Sequence, residues 1–284
     1  MSENDKRKKD SRSLPPLKGK IIIKGKIVAV TALHIGGSKD GIDIGGVDLN
    51  VIKNHHGEPF IPGSSLKGKL RSMLARLEGT LQAERRPADD ENIHTDQDIR
   101  YLTNLFGIAA NEDGQGEEPL QPTRLIVRDC PLDLKNSPNQ EKYSEMDFPY
   151  TDVKFENSID RRRGVAQHPR QLERVPAEAK FDFELVMDVY KDDMEPYSAK
   201  EDEKLELSTE GPARNQYLKA VCMAMKMLQD DYLGGHGSRG YGKIAFDVEP
   251  LIYKELNGLN YGPVALDGEL AEISEQFVAL STQN

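Results

Sequence analysis

The strongest constraint on the fold is the order in which strand-like and helix-like periodicities alternate along the chain. Apolar or small side chains recur at every second residue in two long segments, a spacing typical of β-strands, and at helical spacing in two others. Two shorter apolar runs complete the series. The predicted elements, in chain order, are a strand over 20–36, a helix with Ser64 or Ser65 as N-cap and Gly79 as terminator, strands over 123–129 and 181–190, a helix over 214–230 stopped by Gly234-Gly235, and a strand over 242–248.

This order predicts a single α+β domain with a ferredoxin-like, RNA-recognition (βαββαβ) core, because that fold has the same succession of strands and helices. We expect the domain to span 18–250. A basic extension over 1–17, expected to be disordered, would precede it, and an acidic extension over 251–284 would follow it. The length beyond the core falls in four predicted insertions, at 37–59, 78–122, 130–178 and 191–212.

The composition excludes several classes of protein. Hydrophobic residues make up 37% of the 284 residues and charged residues 30%, which favours a folded soluble chain. No apolar run is long enough for a spanning helix, and no apolar segment follows the charged start, so we expect a cytoplasmic protein without a membrane partner. The only two cysteines, Cys130 and Cys222, are too few for a disulfide framework or a four-cysteine zinc site.

The distribution of charge is more informative than its sum. The net charge is −10, yet residues 1–26 hold nine Lys and Arg against three acidic residues. Further basic islands at 53–76 and 154–174 stand between acidic stretches. Such islands can form a local anion-binding groove on an acidic protein, although a charge run is more often a solvated face.

Two basic motifs have the chemistry of phosphate binding. The first, PGSSLKGKLR over 62–71, combines free N–H groups at a helix start with hydroxyls and cations; its alternative is a capped helix with solvated lysines. The second, GGHGSRGYGK over 234–243, has five glycines in nine residues, which let the backbone approach a ligand. Its alternative is a glycine-rich turn. The candidate phosphate contacts are Ser64, Ser65, Lys67, Lys69, Arg71, Gly235, Gly237, Ser238 and Arg239.

Together with the order of the elements, these motifs resemble the RAMP superfamily of CRISPR RNA-binding proteins, and most of all the repeated backbone subunit of type III-A (Csm) interference complexes. The resemblance covers most of the folded chain. It departs in the basic extension, in the acidic stretch 78–118 and in the length of 191–212. The matching stretches are LHIGGS (33–38), IGGVD (44–48), IPGSSLKGKLR (61–71), RLIVRD (124–129), TDVKFENSIDR (151–161), PRQLERVP (169–176), FDFELV (181–186) and DYLGGHGSRGYGK (231–243).

The resemblance implies a subunit that binds CRISPR guide RNA, stacks with further copies of itself in a helical filament along the guide and cleaves complementary target RNA at regular intervals. Other type III subunits, including the polymerase-like large subunit and the small subunit, are implied as partners. The insertions would form a lid and a thumb-like hairpin, here 151–174, that presses into the guide–target duplex and displaces a nucleotide. On this hairpin the resemblance implies phosphate contacts from Lys154, Arg161 and Arg170, together with Arg162 and Arg163, and a wedge at Phe155 or Ile159.

The resemblance also assigns catalysis to Asp48. By residue type alone, Asp40, Asp43 and Asp48 are turn formers beside glycine. The aspartate of IGGVD aligns with the residue that such subunits use to cut target RNA. Asp48 is therefore expected to bind Mg²⁺ or another divalent cation, or to assist removal of the proton from a 2′-hydroxyl, with a 2′,3′-cyclic phosphate as product.

Two alternatives stay open. In the first, the chain is the same RNA-binding scaffold without catalysis, and Asp48 is a loop residue only. In the second, it is a stand-alone guide-processing endoribonuclease that uses His34 as general acid or base. His34 resembles an RNA-contacting position of the family, and the other interpretation is an exposed histidine at a strand end. His236 is a further candidate for a phosphate contact.

Overall fold

The computed structural model describes residues 15–37, 49–80, 100–107, 122–135, 148–197, 211–266 and 268–282. Helices in these ranges are α1 (Gly63–Glu78), α2 (Arg100–Phe106), α3 (Ala213–Asp230) and α4 (Gly268–Val278). The strands are β1 (Leu17–Ala29), β2 (Phe60–Ile61), β3 (Leu125–Val127), β4 (Cys130–Pro131), β5 (Asp152–Asp160), β6 (Val165–Arg174), β7 (Lys180–Tyr190), β8 (Ile244–Val248), β9 (Ile252–Asn257) and β10 (Asn260–Val264).

One antiparallel sheet carries the four strands that the periodicity predicts. Its order is β10-β9-β1-β7-β3, with β8 paired to β1. Along β1, β9 pairs with Gly19–Ile22 and β8 with Gly25–Ala29. A side chain at Gly25 would place its Cβ 2.0 Å from the carbonyl oxygen of Asp247. Glycine is therefore required at the point along β1 where the pairing with β9 has ended and the pairing with β8 begins. The predicted α+β class is confirmed.

The two faces of β1 differ in chemistry because its side chains alternate. Ile21, Ile23 and Ile27 are fully buried, and each contributes about 1.5–3 kcal/mol through burial. Leucines of α1 and α3 belong to the same apolar core, so these helices pack against this face. On the other face the lysines of β1 form ion pairs, Lys20 with Asp188, Lys24 with Glu249 and Lys26 with Asp182.

Several predicted boundaries are wrong. The first strand ends at Ala29 instead of continuing to 36. Beyond it the amides of Val30 and Thr31 both donate to the carbonyl of Lys243, so the chain leaves the sheet. Neither Ser64 nor Ser65 is the N-cap of α1, because both lie inside its first turn. Helix α3 ends at Asp230, as predicted, but the predicted stop Gly234-Gly235 lies beyond its end and does not terminate it.

The cap at the start of α1 comes from elsewhere in the chain. Pro62 occupies the N-cap position and provides no side-chain hydrogen bond. The carboxylate of Asp129 accepts from the amide of Gly63 at 2.8 Å instead. At the other end, Gly79 terminates the helix as predicted, in the left-handed conformation with φ 73°.

The segments expected as an insertion and as an extension contribute to the core. Helix α2 lies within the predicted insertion 78–122, and its Tyr101, Leu102 and Leu105 are fully buried. In the segment 251–284, β9 joins the main sheet and α4 buries Leu270, Ile273 and Phe277. The structure therefore has no boundary of the domain at residue 250. Among the described residues, no helix is both long and apolar enough to cross a bilayer.

A separate hairpin formed by β5 and β6 occupies the position of the predicted thumb. The two strands pair antiparallel from Asp152 opposite Arg174 to Asp160 opposite Val165. The paired residues, Asp152 to Arg174, fall within the span 151–174 that was predicted for the thumb. Its pairing is separate from the main sheet, and it is joined to the rest of the fold at its base.

Candidate nucleic-acid interface

A buried carboxylate holds the base of the hairpin against the segment that follows the predicted catalytic loop. Glu173 of β6 is 3% exposed, and its side chain accepts from the Val51 amide at 2.9 Å and the Thr151 hydroxyl at 2.6 Å. It also pairs with Lys53. Burial opposes ionisation of Glu173, but the hydrogen bonds from Lys53, Thr151 and Val51 outweigh it and lower the pKa of this carboxyl.

Asp48 lies outside the described residues, but both ends of its loop are placed. Leu49, the next residue, accepts a hydrogen bond from the amide of Glu173 at 3.0 Å. On the other side, the amide of Gly37 donates to the carbonyl of Asn50 at 3.1 Å. The residues on either side of the loop 38–48 are therefore next to each other, beside β6.

His34 lies at the same place and is 5% exposed. Its Nδ1 is 2.7 Å from the carbonyl oxygen of Glu173. Because a carbonyl oxygen only accepts hydrogen bonds, Nδ1 of His34 carries a proton and is the donor to Glu173. The interpretation of His34 as an exposed histidine at a strand end is wrong, since β1 ends five residues earlier.

The glycine-rich loop folds against His34. The amide of Gly235 donates to the His34 carbonyl at 2.8 Å, and a Cβ at Gly234 would lie 2.3 Å from that oxygen. A Cβ at Gly237 would lie 1.9 Å from the ring of Tyr232. Glycine is therefore required at 234 and 237, because a side chain at either position would clash with the protein itself. Ser238, at the outside of the loop, is exposed.

The second histidine of this region lies beside the first. The rings of His34 and His236 are edge to face, with centres 5.5 Å apart. The guanidinium of Arg239 donates to Nδ1 of His236 at 2.9 Å, so this nitrogen is an acceptor. Burial and the neighbouring His34 lower the pKa of His236. The ring is therefore neutral at pH 7, and the positive charge here belongs to Arg239.

The hairpin meets the glycine-rich loop at Tyr241. The hydroxyl of Tyr241 donates to Glu156 of β5 at 2.9 Å, and the ammonium of Lys154 lies 5.0 Å from the centre of its ring. Arg239 lies 3.6 Å from the same carboxylate. Lys154 and Arg239 are both exposed, so cations from hairpin and loop face solvent around one acidic group. We call the following set the hairpin-loop junction: His34, Lys154, His236, Arg239 and Tyr241.

At the start of α1 the predicted cations contact the protein. Lys67 donates to the carbonyl of Leu125 at 2.9 Å, and Arg71 donates to the carbonyl of Gly107 at 3.1 Å. Burial, with a smaller effect from Arg71, lowers the pKa of Lys67. Lys67 and Arg71 are therefore both engaged by backbone carbonyls of the protein itself.

Lys69 extends from the same helix towards the glycine-rich loop. Its ammonium lies 3.9 Å from the ring centre of Tyr232 and 3.3 Å from the carboxylate of Asp231. Tyr232 packs under Gly237, so Lys69 contacts a side chain that supports the glycine-rich loop. Ser64 is exposed and Ser65 half-buried in the first turn of α1.

The remaining predicted contacts lie along the hairpin. Arg161 stands in its turn and Arg170 on β6, and both are exposed. Phe155 and Ile159, the predicted wedge, are 65% and 68% exposed. Both side chains stand on β5, on either side of an irregularity in its pairing with β6 between Glu156 and Ser158. The hairpin therefore presents apolar side chains and cations to solvent together.

The predicted divalent cation finds no ligand set in the described part of the chain. Within those residues, no group of three or more His, Cys, Asp or Glu could hold a metal ion. Glu173, the carboxylate beside Leu49, is engaged by Lys53, Thr151 and Val51.

The residues that organise this region escaped sequence analysis. Glu156 and Glu173 stand inside the stretches that carry the family resemblance, yet nothing in their spacing marks them as partners of Tyr241 or Val51. The available signal was the position of these two acidic residues inside the basic, strand-like stretch 154–174.

Comparison with known proteins defines the family. A family model described as the RAMP superfamily matches residues 26–245. The chain belongs to the RAMP superfamily. The matched RAMP region includes the whole hairpin-loop junction and ends before β9.

Named relatives cover most of this RAMP protein. The "CRISPR system Cms endoribonuclease Csm3" of Methanocaldococcus jannaschii is 38% identical over 240 residues, which are 84% of this chain and 83% of the relative. The protein of the same name from Streptococcus thermophilus is 38% identical over 230 residues, 80% of this chain and 87% of the relative. A crystal structure of a Csm3-Csm4 subcomplex in the type III-A CRISPR-Cas interference complex has 28% identity and a TM-score of 0.48, covering 92% of this chain and 96% of that chain.

Proposed function

We propose that this chain is the guide-RNA-binding backbone subunit of a type III CRISPR complex and that it cleaves complementary target RNA. Two relatives that each align with at least 80% of the chain are named endoribonucleases. The neighbouring strands β8, β1, β7 and β3, with α1 and α3 on one face, support a ferredoxin-like core. The observation that carries the proposal is the hairpin-loop junction, where exposed cations meet beside the segment that follows Asp48.

RNA would lie across the hairpin-loop junction with its phosphates against Lys154 and Arg239. Contacts between such cations and phosphate contribute about 1.5–3 kcal/mol each when desolvated. Splaying one nucleotide around Phe155 or Ile159 costs a few kcal/mol, which these contacts and base pairing offset. Sequence specificity would come from pairing with the guide, since phosphate contacts carry no sequence information.

Cleavage is proposed to use the RNA's own 2′-hydroxyl as nucleophile and Asp48 as the catalytic carboxylate. The 2′-oxygen bonds to the adjacent phosphorus while the bond from phosphorus to the 5′-oxygen breaks. The 2′-hydroxyl proton passes to Asp48, and the departing 5′-oxygen takes a proton from water. The products are a 2′,3′-cyclic phosphate and a 5′-hydroxyl. A divalent cation at Asp48, part of the proposal, would supply charge stabilisation.

The test is Asp48→Ala in a complex reconstituted with guide and target RNA. We expect assembly and target affinity to stay within about twofold, while cleavage falls by roughly 1,000-fold or more, as for loss of a catalytic group. Asp43→Ala, in the same loop, is the matched control and should cut normally. Chelation followed by re-addition of Mg²⁺ or Mn²⁺ tests the cation separately. Retained cutting by Asp48→Ala would remove the assignment; a complex that never cuts supports the inactive scaffold.

The geometry of His34 and His236 gives the guide-processing alternative a specific basis. Nδ1 of His34 is bound to the carbonyl of Glu173, and the His34 ring lies 5.5 Å from that of His236. This alternative predicts that the isolated chain cleaves hairpin-repeat RNA in the presence of a chelator.

Three further expectations stay predictions. They are the polymerase-like and small subunits as partners, the filament and the cytoplasmic location.

A further inference from the structure

Glu173 is buried, yet it contacts residues on both sides of the proposed catalytic loop. Its carboxylate contacts the amide of Val51, the ammonium of Lys53 and the hydroxyl of Thr151. Its amide donates to Leu49, and its carbonyl accepts from His34. These partners come from three segments: the two on either side of the loop 38–48 and the residue that precedes β5.

The side-chain contacts go chiefly to one short segment. Val51 and Lys53 stand three and five residues after Asp48, and both are held by the Glu173 carboxylate. A buried carboxylate stabilises its surroundings only when its oxygens are satisfied, and here an amide, an ammonium and a hydroxyl satisfy them. The segment 49–53 is therefore attached to β6 through its backbone at Leu49 and Val51 and through a side chain at Lys53.

We propose that Glu173 is a positioning residue for target-RNA cleavage, whose carboxylate fixes the segment 49–53, the direct continuation of the chain after Asp48, relative to the hairpin. The inference rests on the proposed function. It assigns Glu173 no contact with RNA, since its side chain is buried.

Positioning and binding are separable here because different residues carry them. The exposed cations Lys154 and Arg239 lie on the solvent side of the hairpin-loop junction, whereas Glu173 acts from within. Misplacement of a catalytic group by about 1 Å can cost roughly 100-fold in rate. Weakening the Glu173 contacts should therefore slow cleavage while target affinity is maintained.

The principal experiment uses Glu173→Gln in the assembled guide-loaded complex. Glutamine keeps the size of the side chain and can still accept from Val51, but it cannot pair with Lys53. We expect single-turnover cleavage to fall by about tenfold or more, with target affinity within about twofold of wild type. Asp152→Asn is the matched control, because it removes the ion pair with Arg174 from the same two strands, and it should cleave at the wild-type rate.

A double-mutant cycle tests whether Glu173 affects the cleavage rate through its contact with Lys53. If Glu173 acts through Lys53, then Lys53→Met slows cleavage similarly, and the pair of substitutions together slows it no further than the worse single one. Should Glu173→Gln fail to assemble, Lys53→Met alone carries the test, with the same split between rate and affinity.

Two results would overturn the proposal. One is an assembled Glu173→Gln complex that cleaves within twofold of the wild-type rate. The other is a parallel loss of affinity and cleavage, which would make Glu173 a support of the binding surface. A wild-type complex that does not cut overturns the proposed function itself, so the two failures are distinguishable.

Discussion

The start of α1 and the hairpin-loop junction contain the same kinds of residue but present them differently. The α1 motif over 62–71 and the glycine-rich loop over 234–243, which supplies Arg239 to the junction, both combine glycines with lysine or arginine, and by composition both are candidate phosphate sites. In α1, Lys67 and Arg71 donate to backbone carbonyls, and the Asp129 carboxylate accepts from the Gly63 amide at the helix start. At the junction, Lys154 and Arg239 are exposed.

The difference shows that the availability of a lysine or arginine to a phosphate depends more on the contacts it already makes than on its charge. A lysine that donates to a carbonyl must give up that bond to reach a phosphate, so its net gain is small. At the hairpin-loop junction Arg239 donates to His236 through one guanidinium nitrogen, and the contacts of Glu156 with Arg239 and Lys154 are long, 3.6 and 3.8 Å. Exposed pairs of this kind contribute little, so these cations are available to RNA.

The largest contrast should come from removing the exposed cations of the junction. We expect Lys154→Ala combined with Arg239→Ala to lower RNA affinity by roughly 10- to 100-fold at low salt and to reduce the salt-dependence slope by about 2. Filter binding or fluorescence anisotropy over a salt series measures both. Thermal unfolding should change little, because both side chains are exposed. An unchanged slope would contradict the placement of phosphates here.

A smaller effect, of a different kind, is expected in α1. Lys67→Met removes the hydrogen bond to Leu125 from a half-buried ammonium, so we expect the free energy of unfolding to fall by about 1 kcal/mol. RNA affinity should fall by at most about threefold. Denaturant unfolding and the same binding assay report the two quantities. A loss of affinity as large as at the junction, without loss of stability, would erase the contrast between the regions.

The smallest effect concerns His236 and pH. Burial and His34 lower its pKa below the ordinary 6.5, so the unfolded chain binds the proton more readily than the folded one. Stability linked to His236 is therefore present above pH 6.5 and falls as the pH drops through the lowered value. An NMR titration of the ring should give a midpoint below 6.5. A midpoint at or above 6.5 would mean that the ring is better solvated than the structure indicates.

The core elements were predictable because their patterns are local. The alternation in β1 and β7 and the stripes of α1 and α3 each lie within one continuous segment. The same logic could have found the C-terminal elements. Asn257-Gly258 is a hairpin turn signal, and Leu270, Ile273 and Phe277 have helical spacing. The acidic composition of this segment hid both patterns.

The site was less predictable because its contacts join distant residues. Tyr241 and Glu156 are 85 residues apart in sequence, and Val51 and Glu173 are 122 apart. Residue type and family resemblance identified Lys154 and Arg239, but which lysines face solvent depends on carbonyls and carboxylates brought in by the fold. Lys67, donating to a strand on another part of the chain, is the clearest example.

Photo-crosslinking of guide-loaded complexes tests most directly whether RNA lies across the hairpin-loop junction. Guide or target RNA carrying 4-thiouridine would be irradiated in the assembled complex, and the attached peptides identified by mass spectrometry. The account predicts crosslinks to the hairpin, residues 151–174, and to the glycine-rich loop, residues 234–243. Crosslinks confined to α1 or to the C-terminal helix α4 would contradict it.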